Sequence, residues 1–263
     1  MPTYQDQLHQ TLSIPRAPQR IVSLVPSQTE LLHYWGLGER VIGITKFCIH
    51  PEVWYRCKTR VGGTKNVNFD TIAALEPDLI IGNKEENSQG DIEQLQANYS
   101  VWMSDIYTLE DAYAMMEQLG ELLGVAKKAT ALVAQLRQDM ALLQAGPISN
   151  KRVAYFIWRK PWMVAARHTF IDYLLSLAGF ENVFGQQERY PVLELEAIAA
   201  AQPDVIFLSS EPYPFKEKHQ AELAKVCPTA TIELVDGELF SWYGSRLLHT
   251  AKYIQNLQQK LEG

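Results

Sequence analysis

Apolar positions along this chain follow two rhythms. Short β-branched or aromatic runs read as strands, and they alternate with segments whose apolar residues recur at helical spacing. "RIVSLV" (20–25) is a strand, and Pro26-Ser27 then opens a helix over "QTELLHYWGLG". "RVIGIT" (40–45), "DLIIG" (78–82) and "YSVWMS" (99–104) are further strands, with short helices in "NFDTIAAL" and "DIEQLQA". From about Thr108 to Gln144 the spacing is helical throughout, although Gly120 and Gly124 mark places where the run bends or breaks. Alternation resumes after Gly146-Pro147: "RVAYFIW" (152–158), "DVIFLS" (204–209) and "TIELV" (231–235) are strands. "TFIDYLLSLAG", "LEAIAAA" and a closing segment from near Ser245 are helices.

Strands alternating with helices predict an α/β fold in which parallel sheets are covered on both faces. One segment occurs twice. "IAALEPDLIIGNKEE" begins at Ile72 and "IAAAQPDVIFLSSEP" at Ile198, and the two align without a gap through Glu85 and Glu211. The repeat predicts two lobes with parallel sheets and flanking helices, bridged by one long α-helix. The expected boundaries are an N-terminal lobe over 1–107, a bridging helix over 108–146 and a C-terminal lobe over 147–263. A helix of that length would reach roughly 50 Å and form a stiff spine.

Composition narrows the function classes. Apolar content of 47% with 21% charged residues is that of a globular protein. A net charge of −6 and a pI near 5.6, with no long basic run, argue against nucleic acid as a partner. No run approaches 18 apolar residues, so no membrane-spanning segment is expected. Cys48, Cys57 and Cys227 show no CxxC spacing and are expected as idle thiols.

In parallel α/β sheets ligands bind beyond the carboxyl ends of the strands. Those positions hold Lys46, Phe47 and His50; Lys84, Glu85 and Glu86; Arg159 and Trp162; Glu211, Tyr213, Phe215 and His219; and Glu238, Trp242, Tyr243 and Arg246. Aromatics beside a few charges suit a large, flat, partly polar ligand held in an inter-lobe cleft. The plain alternative is that these rings cap the core. A bare metal ion needs three or four His or carboxylate ligands. Six histidines supply only His50 and His219 as weak candidates, one in each lobe. There is no GxSxG elbow, P-loop or GxGxxG after the first strand, and enzyme activity is not expected.

"IVSLVPSQTELLHYWGL", "VGGTKNVNFDTIAALEPDLIIG" and "LEAIAAAQPDVIFL" resemble the helical-backbone (class III) substrate-binding proteins of ABC importers for vitamin B12, ferric siderophores and haem. The likeness runs from Arg20 to about Leu257 and is strongest to the vitamin B12-binding members. It implies no intrinsic cofactor; the ligand is cobalamin or a ferric-siderophore-type metal chelate. It implies an ABC permease as partner, with Asp70 and Glu196 as the docking acids. Either is equally an ordinary first-turn acid, worth about 0.3–1 kcal/mol against the helix dipole.

The resemblance places Phe47, Trp162 and Tyr190 where the vitamin B12 pocket has rings and Trp242 near a pocket arginine; with them, the strand-end charges Glu85, Arg159, Glu211 and Arg246 are expected to orient the ligand's polar groups. Thr64 and Asn83 stand where the vitamin B12 pocket has tryptophans. Arg159 and Arg246 have the fork geometry for carboxylates or amides on a chelate. A monomer is expected. The family works in the periplasm or at the cell surface, yet "MPTYQDQLHQTLSIP" has no basic n-region or apolar h-region and is not expected to be a signal peptide. The alternative reading is accordingly an intracellular corrinoid, metal-chelate or metal-ion binding protein for storage, delivery or sensing.

Overall fold

The computed structural model describes residues 2–146 and 149–262; Pro147, the second residue of the Gly146-Pro147 break, lies outside the described residues. The chain forms two compact units. One comprises Met1–Leu136 with Tyr243–Arg246, the other Arg137–Trp242 with Leu247–Gly263.

The first unit starts with a hairpin of β1 (Thr3–Gln5) and β2 (Thr11–Ser13). Then come β3 (Ile21–Ser23), α1 (Pro26–Tyr34), β4 (Val41–Ile44), α2 (Glu52–Cys57), β5 (Thr59–Arg60) and α3 (Phe69–Leu75). They are followed by β6 (Leu79–Asn83), α4 (Gln89–Gln96), β7 (Val101–Ser104) and α5 (Leu109–Leu122). The five-stranded sheet is parallel throughout, in the order β5-β4-β3-β6-β7. Strands β3 and β6 are buried along their whole length, as parallel strands covered on both faces must be. The order reverses at β3, so the loops after β3, β4 and β6 diverge above a topological switch point, where such sheets bind ligands.

The helical run over 108–146 is two helices. Helix α5 ends in a Schellman motif: the Val125 amide donates to the Gly120 carbonyl (2.7 Å) and the Gly124 amide to that of Glu121 (3.0 Å). Gly124 takes φ +70° there, a conformation that costs a residue with a Cβ. Helix α6 (Ala126–Gln144) then carries the chain from one unit into the other. Its 19 residues span about 28 Å, roughly half the spine expected. Gly120 has a different role. A Cβ on it would lie 2.4 Å from the Ala129 Cβ, so its missing side chain allows α5 and α6 to pack closely.

The second unit contains β8 (Arg152–Trp158), β9 (Trp162–Val164), α7 (Phe170–Leu177), β10 (Glu181–Asn182), β11 (Val192–Leu193), α8 (Leu195–Ala201) and β12 (Val205–Ser209). It continues with α9 (Glu217–Leu223), β13 (Thr231–Val235), α10 (Glu238–Ser241) and α11 (Leu247–Glu262). Its sheet is ordered β11-β9-β8-β12-β13, with β10 also on β8. The expected parallel sheet holds for β10, β8, β12 and β13. Strands β9 and β11 are antiparallel additions, because the chain doubles back through Arg159–Pro161 with Lys160 at φ +67°.

The sequence repeat is one physical device used twice. Helices α3 and α8 each have seven residues, and each ends on a left-handed residue, Glu76 (φ 45°) or Gln202 (φ 46°). Pro77 or Pro203 then prevents continuation. The next residue is an aspartate whose carboxylate accepts backbone N–H groups from the start of a neighbouring strand. Asp78 accepts from Gln19 and Arg20 (2.7 and 2.8 Å), and Asp204 from Arg152 (2.8 Å). The same arginines reach back to the orphan carbonyls at the helix end. Arg20 donates to the carbonyls of Leu75 and Glu76, and Arg152 to those of Ala201 and Gln202.

Gly120→Ala should be destabilising although alanine favours helix by about 1 kcal/mol. Overpacking against Ala129 is expected to outweigh that gain, at about 1–3 kcal/mol. A urea melt measures the difference, and a variant as stable as the parent would mean that α5 and α6 do not need this contact.

Candidate functional site

At the carboxyl ends of the first unit's strands lies a cavity of about 610 Å³ lined by Lys46, Phe47, Gly62, Gly63, Thr64 and Lys65, among others. Phe47 is 51% exposed, with the Lys46 ammonium 5.1 Å from its ring centre. The two glycines of "VGGTK" belong to a tight turn. Gly62 takes φ +100°, and a Cβ on it would sit 2.6 Å from the Asn66 carbonyl oxygen. Lys65 donates to the carbonyls of Glu85 and Asn87, tying this turn to the loop after β6.

Asn83 organises that second loop. It is buried, and its Oδ1 accepts from the amides of Glu85 (2.8 Å) and Glu86 (3.0 Å). Asn87 adds a bond to the Thr64 carbonyl (3.0 Å). Glu85 is half-buried in this loop, and the Lys84 ammonium is paired with Asp105 at 2.6 Å. Cys48 is buried between the hydroxyls of Thr29 and Thr45, each 3.1 Å from its sulfur, and all three cysteines are free.

The second unit presents a continuous group of rings at the ends of β8 and β12. Trp162 stacks on Phe215 with centroids 6.1 Å apart and planes 9° from parallel. Trp158 meets Tyr213 edge-on at 5.7 Å, and Tyr213 meets Phe215 at 4.8 Å. His219 packs edge-on against both Tyr213 and Phe215 at 5.4 Å. Edge-to-face and offset contacts of this kind add roughly 0.5–1.5 kcal/mol each beyond area burial, so the rings fix one another. Arg159 lies 5.4 Å from the Trp162 ring centre and forms a two-pronged pair with Glu222, both bonds 2.9 Å. Tyr190 is half-buried, with the Arg189 guanidinium 5.7 Å from its ring centre.

Several expected contacts have other partners. Arg159 and Arg246 were expected to offer their forks to a ligand, and each is taken up by a carboxylate of its own unit. Arg246 holds Glu30 of α1 at 3.0 and 2.7 Å. Trp242 is only 6% exposed, and its indole N–H donates to the Glu211 carboxylate at 2.8 Å. The same oxygen accepts from the Ser241 hydroxyl at 2.7 Å. Glu211 and Trp242 therefore hold α10 to the loop after β12. Burial pushes the Glu211 carboxyl above its ordinary value near 4.5.

His219 cannot serve as a metal ligand in this arrangement, because both ring nitrogens are engaged, by the Lys216 amide and the Tyr213 hydroxyl. His50 is half-buried in the loop after β4. Among the described residues no group of three His, Cys, Asp or Glu could hold a metal ion together. Asp70 and Glu196 are exposed, each the second residue of its seven-residue helix.

Trp158, 39% exposed, escaped sequence reasoning because it is the last residue of a strand and reads as core. The strand alternation held the signal: Ala154, Phe156 and Trp158 share a face, and the last of them overhangs the sheet end.

Residues 21–230 match the model of a family described as periplasmic binding proteins. The chain belongs to the periplasmic binding protein family. An uncharacterized ABC transporter substrate-binding lipoprotein of Bacillus subtilis is 30% identical over 214 residues, 78% of this chain and 68% of its own. The vitamin B12-binding protein of Pectobacterium carotovorum is 29% identical over 247 residues, 90% of this chain and 87% of its own. Among solved structures, the periplasmic vitamin B12-binding protein of Vibrio cholerae superposes with a TM-score of 0.79 at 25% identity, covering 94% of this chain and 99% of that one. A periplasmic haem-binding protein of Pseudomonas aeruginosa gives 0.77 at 25% identity, covering 91% and 92%. These neighbours are two-lobed α/β periplasmic binding proteins. Among the described residues no helix of this family member is long and apolar enough to cross a membrane.

Trp242→Ala is expected to cost stability, about 3–5 kcal/mol for a large buried ring. A melt near that of the parent would count against an anchoring role. Glu211 gives a pH signature. A carboxyl whose folded value lies above its unfolded one stabilises the fold below about pH 4.5, and that contribution is lost as pH rises through the folded value. Glu211→Gln keeps an acceptor for Ser241 and Trp242, so it should flatten this part of the profile. Denaturation between about pH 4 and 8 reads it; superimposable profiles for parent and variant would sink the assignment.

Proposed function

We propose that this periplasmic binding protein is the substrate-binding component of an ABC importer and captures cobalamin or a ferric-siderophore-type metal chelate on the carboxyl-end surfaces of its two sheets. The observation that carries this reading is the ring group Trp158–Trp162–Tyr213–Phe215 at the ends of β8 and β12. A mutually braced aromatic surface loses little conformational entropy on contact with a flat ligand, and it sits where parallel sheets bind small molecules. Phe47 and the cavity beside Lys46 and Lys65 supply the first unit's share of apolar surface and positive charge. Similarity to vitamin B12-binding and haem-binding proteins supports the same ligand class.

The reading also assigns a partner. Asp70 and Glu196 occupy equivalent exposed positions in the first turns of α3 and α8, and we assign them to docking on basic residues of a permease. Such contacts govern encounter rate and orientation more than affinity.

Calorimetric titration with cyanocobalamin, haemin, a ferric siderophore panel and free Zn²⁺ tests the reading. One-to-one binding of a corrinoid or chelate below about 1 μM, near −8 kcal/mol, is expected. Heat from Zn²⁺ alone, or from nothing, would refute it. Trp162→Ala should weaken that binding by about 1–3 kcal/mol, compared at a temperature where the variant is still folded. Asp70→Lys combined with Glu196→Lys should leave binding in solution intact and abolish uptake of labelled ligand by cells; unimpaired uptake would remove the docking role.

A further inference from the structure

The ring group of the second unit contains one polar group whose direction is set by its neighbours. His219 Nδ1 accepts a hydrogen bond from the Lys216 backbone amide at 2.9 Å. A backbone N–H can only donate, so Nδ1 carries no proton and the neutral imidazole is protonated at Nε2. That Nε2 lies 3.3 Å from the Tyr213 hydroxyl. With Nε2–H as donor, the Tyr213 oxygen is the acceptor, and the phenol's own hydrogen points away from His219. The ring has little freedom to turn, because Trp158, Phe215 and His219 pack on it edge-on. The result is a half-buried phenol with a fixed ring and an outward O–H at the edge of an aromatic surface.

We propose that Tyr213 is the hydrogen-bond donor that orients a ligand on this surface, that its acceptor is a carboxylate at the rim of a planar metal chelate, and that His219 is the positioning residue that keeps the phenol a donor. The inference rests on the binding function proposed above. Charge around the pair favours an anionic acceptor: Lys216, Lys218 and Arg159 act on His219, and the carboxylate of Glu222 among them is already paired by Arg159. Burial and those cations also hold the His219 imidazole below its ordinary titration range, which keeps it neutral at neutral pH. Were it protonated, Nδ1–H would face the Lys216 N–H, and the cap at the start of α9 would be lost.

The test compares haemin, which carries two free carboxylates, with its dimethyl ester, using tryptophan-fluorescence titration. Tyr213→Phe keeps the ring and removes only the hydroxyl. It should weaken haemin binding about tenfold to a hundredfold, the range for a hydrogen bond to a charged group, and leave the ester unchanged. His219→Asn, whose side-chain oxygen can still accept from the Lys216 amide, should reproduce the loss for the acid in part and spare the ester. Trp158→Ala should weaken both ligands alike, since it removes surface and not the donor. A merely structural role for Tyr213 or His219 would lower both ligands together, and that outcome overturns the proposal. So would equal haemin affinity in parent and Tyr213→Phe. If the parent binds cyanocobalamin but neither porphyrin, the carboxylate assignment falls while the importer reading stands. If it binds no corrinoid or chelate, both fall.

Discussion

A parallel strand buried on both faces must be entered from a helix that stops abruptly, and the stop leaves helix carbonyls and strand amides without partners. Both units meet this constraint in the same way. A left-handed residue and a proline end the helix, an aspartate takes the amides at the start of the neighbouring strand, and that strand's arginine takes the helix carbonyls. The reciprocal arrangement fixes two strands and a helix relative to one another at the amino end of each sheet. Because that end is fixed, the opposite ends of β3, β6, β8 and β12 can carry irregular loops without losing register. The candidate site surfaces lie at the ends opposite to those that these joints make rigid.

Charge at those strand ends is mostly committed internally. Arg159 with Glu222, Arg246 with Glu30, and Lys84 with Asp105 are each closed within one unit. A half-buried guanidinium already paired through two bonds would need its partner displaced before it could grip a ligand carboxylate, leaving a desolvated glutamate behind. Rings and single neutral donors, such as Trp158, Trp162 and Tyr213, carry no such penalty. The paired arginines then brace the surface: Arg159 lies against Trp162 while it holds α9 through Glu222.

Legibility in the sequence followed the range of the interactions. The strands, the short helices and the two-unit repeat were readable because period, Pro-Asp punctuation and β-branched runs are local signals. Gly120 and Gly124 were readable as an interruption, but only the structure shows that one ends α5 and the other admits Ala129. The candidate site was half legible. Strand-end position located Phe47, Trp162, Tyr213 and His219, whereas the partners of Arg159, Glu211 and Arg246 lie 63, 30–31 and 216 residues away. No local pattern announces a partner at such distance. An arginine in a loop looks the same whether it faces solvent or a carboxylate from another element. Strands β9 and β11 were missed for a related reason, since two- and three-residue pairings lack the length to show alternation.

The same constraint separates what the fold must keep from what its loops are free to change. The joints between helix and strand are the part the fold cannot give up, since a parallel sheet cannot be entered without them. Loop residues face no such requirement. What a loop needs in order to present a side chain in one direction is a brace from behind. In the second unit those fixings are short-range: a backbone amide on His219, His219 on Tyr213, and three rings on the phenol. The links between residues 213, 216 and 219 lie within a loop and the first turn of α9, and only the Trp158 ring comes from another element, the end of β8. A donor held by so short a chain can be redirected by one substitution without disturbing either sheet.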